Sequence, residues 1–294
     1  MATVRPGISE DWETAQTIIK QSTPYDEGRI TRDQWDYWVD DASSSFPIMA
    51  EERGLVAGFA VASAFGTASW WLDGPVILPQ AKGHGFEQLL TDSALAIFKE
   101  HGAGILRTAS FDSSEHFISA VRSVGFRNII SYTRMRAKAA PGETGPLLRL
   151  PPHSAQMVYR YLQNSPLHRI NRFIETQNVL DFITDTRLAD YLNSPTMQLL
   201  GWRQFDKLHG VVVIRLDPPE QYANALYISY LDAPDDTTLR TMLETLRVLA
   251  HQRGKTHFVW KMPLSIGLER QLKSFAWEQT WDEPLRLYER GLRI

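Results

Sequence analysis

The chain has 294 residues, a net charge of −3, 43% hydrophobic residues and no cysteine. That length predicts about two domains with ordinary packed cores, and the missing thiols exclude disulfides, thiolate metal sites and a cysteine nucleophile. The charge argues against a general nucleic-acid binder, which needs a basic surface to replace phosphate counterions, and no run of about 18 apolar residues reads as a membrane span. The first residues, Met1-Ala2-Thr3-Val4-Arg5-Pro6, lack the apolar core of a secretion signal, so a cytoplasmic protein is expected.

In chain order, Thr3 to Arg5 reads as a short strand, and Ser9 is placed to cap a helix running to Lys20. Thr31 is placed to cap a second helix, with Trp35, Trp38 and Val39 at helical spacing. Pro47 to Glu52 and Leu55 to Phe65 read as strands joined at Arg53-Gly54, and Ser69 to Leu78 as a third. A helix over Phe86 to His101 stops at Gly102, a strand covers Ile105 to Ser110, and a helix over Ser114 to Val124 ends at Gly125-Phe126. Ile129 to Arg136 is the last strand of this half.

The breaker-rich stretch from Ala139 to Pro146, with Pro151-Pro152 just beyond, reads as a linker. Domains are expected at 1–138 and 153–294, with 139–152 between them. The later half ends in the same order of elements: a strand over Ala225 to Leu231, a helix over Thr237 to His251 with a stop at Gly254, a strand over His257 to Lys261, a helix over Ser265 to Phe275 and a strand over Leu285 to Glu289. Gly254 follows Gly102 by 152 positions, and Ala276-Trp277 follows Gly125-Phe126 by 151. A constant offset between matched landmarks points to duplication.

The segment Pro79-Gln80-Ala81-Lys82-Gly83-His84-Gly85 stands where a strand becomes a helix. The first N–H groups of a helix lack partners and carry partial positive charge, and glycine lets a phosphate approach them. The same glycines also serve a purely conformational turn. A dinucleotide fingerprint requires a third glycine where Gln88 stands, and a P-loop is absent.

Gln80-Ala81-Lys82-Gly83-His84-Gly85, then Leu89-Leu90, then Gly125-Phe126, set in this order of elements, resemble the GNAT acetyltransferase superfamily. The resemblance covers roughly residues 3–136 and extends to tandem two-domain members similar to mycothiol synthase. It implies an α/β (α+β) protein of tandem GNAT-like domains, each a mixed, mostly antiparallel central sheet flanked by helices. It implies acetyl-CoA or another acyl-CoA as co-substrate, no metal, and direct transfer to an amine of a small molecule. The backbone from Ala81 to Phe86 would then hold the diphosphate; Gln80, Lys82, Gly83, His84 and Gly85 belong to that loop, and Val76, Ile77 and Leu78 would meet the pantetheine arm. Ser114 falls near the family's usual asparagine, and Val121 stands where many members carry the tyrosine that protonates the leaving thiolate.

The candidate proton acceptors are Asp73, on the strand before the loop, and Glu51, at the end of an earlier strand; Tyr132 is a candidate replacement acid. Each also has a plain structural role open to it: Asp73 as a strand-end carboxylate, Glu51 as a solvated hairpin end, Tyr132 as core. Asp26 and Glu27 are candidates to attract a cationic acceptor, Trp35 to stack on it, and Trp71 to line the pocket or the domain interface; core packing is the alternative for both tryptophans. In the later half the matching turn, Asp232-Ala233-Pro234-Asp235-Asp236, has no glycine and several acids. Carboxylates suit a helix N-terminus but repel phosphate, so this copy is expected to be degenerate. The expected function is N-acyl transfer. The alternatives are a non-catalytic acyl-CoA-binding module, other CoA-thioester chemistry on the same fold, or a structural protein.

Overall fold

A computed structural model describes the chain apart from residues 1, 23–29, 66–67, 102, 144, 146, 177–178, 205–206, 273 and 293–294. It divides into two compact units, Met1–Ser131 with Leu285–Ile294, and Tyr132–Pro284.

The first unit begins with β1 (Thr3–Pro6) and α1 (Trp12–Ser22). The expected Ser9 cap is replaced by another device. Asp11 takes the Ile8 N–H at 2.9 Å, while the Ser9 hydroxyl turns to Asp36 at 3.0 Å. Thr31 does cap α2 (Arg32–Asp40), accepting the Gln34 N–H at 3.2 Å. Then β2 (Ser45–Glu52), β3 (Leu55–Ala64) and β4 (Ser69–Ile77) pair antiparallel in sequence. The hairpin between β2 and β3 turns on positive φ at Arg53 and Gly54, 52° and 77°. The helix α3 (Phe86–His101) carries the chain across to β5 (Gly104–Phe111), which pairs parallel to β4; α4 (Glu115–Ser123) follows, and then β6 (Arg127–Lys138), whose residues from Tyr132 on belong to the second unit.

Alternation sorts the strands into two apolar faces. Ala60, Ala62, Trp70 and Leu72 pack under α3 and α4, against Leu90, Phe98 and Val121. Phe59 and Val61 face α1 and α2, against Ile18, Trp35 and Trp38. The sheet is therefore the middle of three layers.

In the second unit β7 (Leu147–Arg149) lies inside the stretch expected to be linker and pairs with β10. The chain then runs through α5 (Ala155–Asn164), α6 (Pro166–Ile170), the hairpin β8 (Phe173–Glu175) and β9 (Leu180–Phe182), α7 (Asp185–Asn193), β10 (Met197–Gln204), β11 (Lys207–Arg215) and β12 (Ala225–Asp232). Helix α8 (Asp236–Gln252) crosses to β13 (His257–Pro263), parallel to β12; α9 (Ile266–Gln271) and β14 (Glu278–Gln279) complete it. One face packs Met135, Val212, Ile228 and Trp260 under α8 and α9; the other packs Leu199, Val211 and Tyr230 under α5 and α7. Strands in the order antiparallel, antiparallel, parallel, with a helix before the parallel one, thus occur in both units.

The last strand, β15 (Leu285–Leu292), differs from expectation. It was expected in the second domain, but it pairs antiparallel with β5 of the first unit, from Leu285↔Phe111 to Leu292↔Gly104. The first unit consequently takes its final strand from the end of the chain.

Candidate active site

The first unit's sheet opens where β4 and β5 part. Their parallel pairing stops at Trp71↔Arg107, although β4 continues to Ile77 and β5 to Phe111. At the fork the Thr108 hydroxyl donates to the Leu72 carbonyl at 2.8 Å. A side chain thus satisfies a strand acceptor after the neighbouring backbone has turned away. On its other side β4 bulges, the register with β3 slipping between Phe59 and Val61 around Gly74-Pro75. Gly74 sits at φ 85°, and a Cβ there would lie 2.9 Å from the Val76 nitrogen. Bulges of this kind re-aim neighbouring side chains.

Asp73 stands at this fork. Paired across from Val61, it faces the α1–α2 side of the sheet. The Trp71 indole N–H donates to Asp73 Oδ1 at 2.9 Å. The residue is half-buried. Burial pushes that carboxyl up to about 7, against the opposing pull of the Trp71 bond. Arg107, nearly buried on β5, bonds Ser69 at 3.1 Å and Glu289 at 3.3 Å.

The turn before α3 differs in detail from expectation. The Ala81, Lys82 and His84 N–H groups are spent within the turn, on Leu78, Pro79 and Ala81 carbonyls at 2.8, 3.4 and 3.3 Å. Gly83 N–H goes to Glu87 Oε1 at 3.1 Å. The N–H groups of Gly85, Phe86, Glu87 and Gln88 take no bond from the described residues. The free donors therefore lie at Gly85 to Gln88, not along Ala81 to Phe86. Gly83 and Gly85 have φ of 77° and 89°, and no atom lies within 4 Å of a Cβ built on Gly85. Lys82 and His84 are exposed beside the turn, as is Gln80. The His116 ring closes its far side, 2.9 Å from a Cβ built on Gly83. The chemistry of this donor set, with open space in front of it, fits a diphosphate.

The other predicted residues are distributed as follows. Ile77, Ala81 and Phe86 are buried in the core under α3, Val76 packs toward α1 and α2, and Leu78 packs against both clusters. Ser114 precedes α4 without a capping bond. Val121 is fully buried in the same core, so the position of the family's acid is a packing position here. Glu51 is not at the fork: it lies on β2, bound to Arg5 at 3.1 Å, where Arg5 also holds Asp11. Trp35 is wholly buried, its N–H on the Ile8 carbonyl at 3.0 Å and its ring edge-on to Phe59, so it offers no face to a ligand. Trp71 is also buried, and its contribution is the bond to Asp73. Asp26 and Glu27 lie outside the described residues. Tyr132 belongs to the second unit, where its buried hydroxyl donates to Asn171 at 2.9 Å and burial holds the phenol well above its usual range. Sequence reading missed Thr108 and Glu87, because nothing local marks a threonine that bonds across a fork or a glutamate that folds back over a turn.

The second unit's equivalent fork is filled. Pairing of β12 with β13 ends at Ile228↔Trp260, and β12 runs on to Asp232. Asp232 there accepts from Ser165 at 2.8 Å and Tyr230 at 3.4 Å, and the Tyr230 hydroxyl meets His168 Nδ1 at 2.8 Å. Desolvation pushes Asp232 up to about 6 and His168 down to about 4. At the start of α8, Asp235 itself takes the Thr238 N–H at 2.8 Å. Among the described residues no cluster of His, Asp and Glu is placed to hold a metal, and no helix is long and apolar enough to cross a membrane.

No family model and no curated protein matches the sequence. Solved structures do match in fold. A GCN5-related N-acetyltransferase from Sphaerobacter thermophilus aligns over 100% of this chain and 98% of its own, at TM-score 0.67 and 12% identity. A GCN5-related glucosamine N-acetyltransferase region of a fungal multi-domain GH3 β-N-acetylglucosaminidase aligns over 99% of this chain and 38% of that one, at TM-score 0.69 and 12% identity. Saccharomyces cerevisiae N-myristoyltransferase with bound myristoyl-CoA aligns over 100% and 79%, at TM-score 0.59 and 10% identity. With its forked β4–β5 pair leading to a glycine turn and α3, the chain carries the fold of the GCN5-related N-acetyltransferases.

Proposed function

We propose that the first unit transfers an acyl group from acyl-CoA to the amine of a small molecule. The observation that carries this reading is the fork itself, where a half-buried carboxyl at about 7, Asp73, stands beside strand backbone left unpaired. In this reading the backbone of β4 beyond Leu72 binds the pantetheine arm, and the N–H groups of Gly85 to Gln88 bind the diphosphate, with Lys82 adding charge. Asp73 accepts the proton of the acceptor ammonium, and its raised affinity for protons matches that task near neutral pH. The neutral amine attacks the thioester carbonyl, the C–N bond forms as the C–S bond breaks, and the departing thiolate takes the amine's remaining extra proton to leave as the free thiol of coenzyme A. Trp71 holds the carboxylate in place, and Thr108 satisfies the Leu72 carbonyl where backbone pairing has ended. The second unit has no acyl-CoA site, because carboxylates stand at its corresponding turn.

Calorimetric titration with acetyl-CoA is expected to saturate one site per chain, and free-thiol release with a panel of small amines is expected to report turnover. Two equivalent sites, or none, refute the reading. One observation favours a second: with Val121 in the core, no tyrosine stands where the family's acid is expected. A non-catalytic acyl-CoA-binding module would bind at one site and release no thiol with any amine.

A further inference from the structure

The turn ahead of α3 carries an anion of its own. Glu87, the second residue of the helix, is 5% exposed, and its carboxylate is folded back onto the Gly83 N–H. In a capping box a glutamate at the third helical position bonds the N-cap N–H while a Ser or Thr at the cap returns a bond; Glu87, at the second position, reaches past Gly85 to Gly83 instead. Here Gly85 occupies the position before the helix and has no side chain to give, so the next N–H groups remain open beside a buried negative charge. Two unit charges about 4 Å apart repel by roughly 1 kcal/mol in water and about 4 kcal/mol near a protein surface.

We propose that Glu87 holds down the affinity of this seat: its carboxylate, held on the Gly83 N–H, opposes any incoming diphosphate. The inference rests on reading the first unit as an acyl-CoA site. A ligand that brings only a diphosphate meets this opposition with nothing to offset it. Coenzyme A also lays its pantetheine arm along the unpaired edge of β4, and that second contact offsets the repulsion. Glu87 thereby lowers both affinities by the same factor, so that binding depends on the arm, which nucleoside diphosphates lack.

The test is calorimetry at one fixed ionic strength on the full chain and its Glu87→Gln variant, with coenzyme A, ADP and pantetheine as separate titrants. Glutamine keeps an acceptor for Gly83 and removes the charge. The variant is expected to bind coenzyme A and ADP roughly tenfold tighter, with pantetheine unchanged. Equal or weaker binding of coenzyme A by a folded variant overturns the proposal and leaves the acyl-CoA reading intact, as does an equal gain for pantetheine. If neither protein binds coenzyme A, both fall. Should Glu87→Gln fail to fold, Glu87→Asp draws the charge back by one methylene and is expected to gain roughly threefold; unchanged affinity there also overturns the proposal.

Discussion

Replacing Asp73 by Asn tests the proposed chemistry most directly. Moving a carboxyl from 3.8 to about 7 disfavours its ionised form by about 4 kcal/mol, so near pH 7 about half of the molecules hold a base ready to accept a proton. For an acceptor whose own ionisation is held constant, kcat/KM should fall about tenfold per pH unit on the acid side of that value and level off above it. Asparagine still accepts the Trp71 N–H but takes no proton. The variant should lose about 10²- to 10⁴-fold in kcat/KM, retain acetyl-CoA affinity, and show no acid limb near 7. Stability provides a second reading. Because the folded-state value is raised, the favourable contribution of the neutral acid is fully present below 3.8 and is lost as pH rises through about 7. Asp73→Asn should therefore be the more stable protein at pH 8, by about 1–2 kcal/mol once partial exposure is discounted. Thiol release between about pH 5.5 and 9, with thermal unfolding at both ends of that range, covers both readings. An acid limb that persists unchanged in the variant refutes Asp73 as the base.

Other substitutions probe the surroundings of this site and the second unit. Trp71→Phe removes the one bond that favours the Asp73 carboxylate, so the acid limb should move to higher pH; an unmoved limb means the indole does not set it. In the second unit Arg134 holds Glu175 through two bonds of 3.2 Å, and Lys261 reaches the same carboxylate at 2.5 Å. Burial pushes that carboxyl up, but the two cations outweigh it and hold it below its usual range. Its contribution to stability is thus present above 4.5 and lost as pH falls. Glu175→Gln should cost about 3–5 kcal/mol in denaturant unfolding at neutral pH, with the gap to the parent protein narrowing in acid. Asp232 has the opposite sign: its folded-state value is raised to about 6, so stability falls as pH rises from 3.8 through that value. Asp232→Asn should flatten this dependence in pH-resolved thermal unfolding, and a variant that parallels the parent protein shows that the carboxyl is already ionised at no cost.

Elements with signals inside their own span were legible in the sequence. Thr31 announces α2 because the bond it accepts lies three residues on, and the hairpin turn is written in Arg53-Gly54. The turn at Gly83 and Gly85 was legible too, because its positive φ values demand glycine. What the sequence concealed depends on which residue lies opposite. Glu51 reads as a proton acceptor or a solvated hairpin end until β1 brings Arg5 to it, and Trp35 reads as core or as a stacking face until Phe59 and the Ile8 carbonyl enclose it. The fork is concealed for the same reason. Ser69 to Leu78 reads as one strand, and only the register with β5 shows that pairing ends at Trp71. The final strand is the clearest case. The alternation in Leu285 to Leu292 specifies that a strand forms and which side chains share a face, but it carries no information about the neighbour. The same eight residues would read identically beside β13 or beside β5. Edge strands accept any chain of suitable pattern, so the assignment is made by the turns and packing that deliver β15 to the free edge of β5. That delivery supplies Glu289 as the partner of Arg107, itself paired with Trp71 at the fork. Truncating the chain before Leu285 would therefore remove a strand from the unit that holds the candidate site.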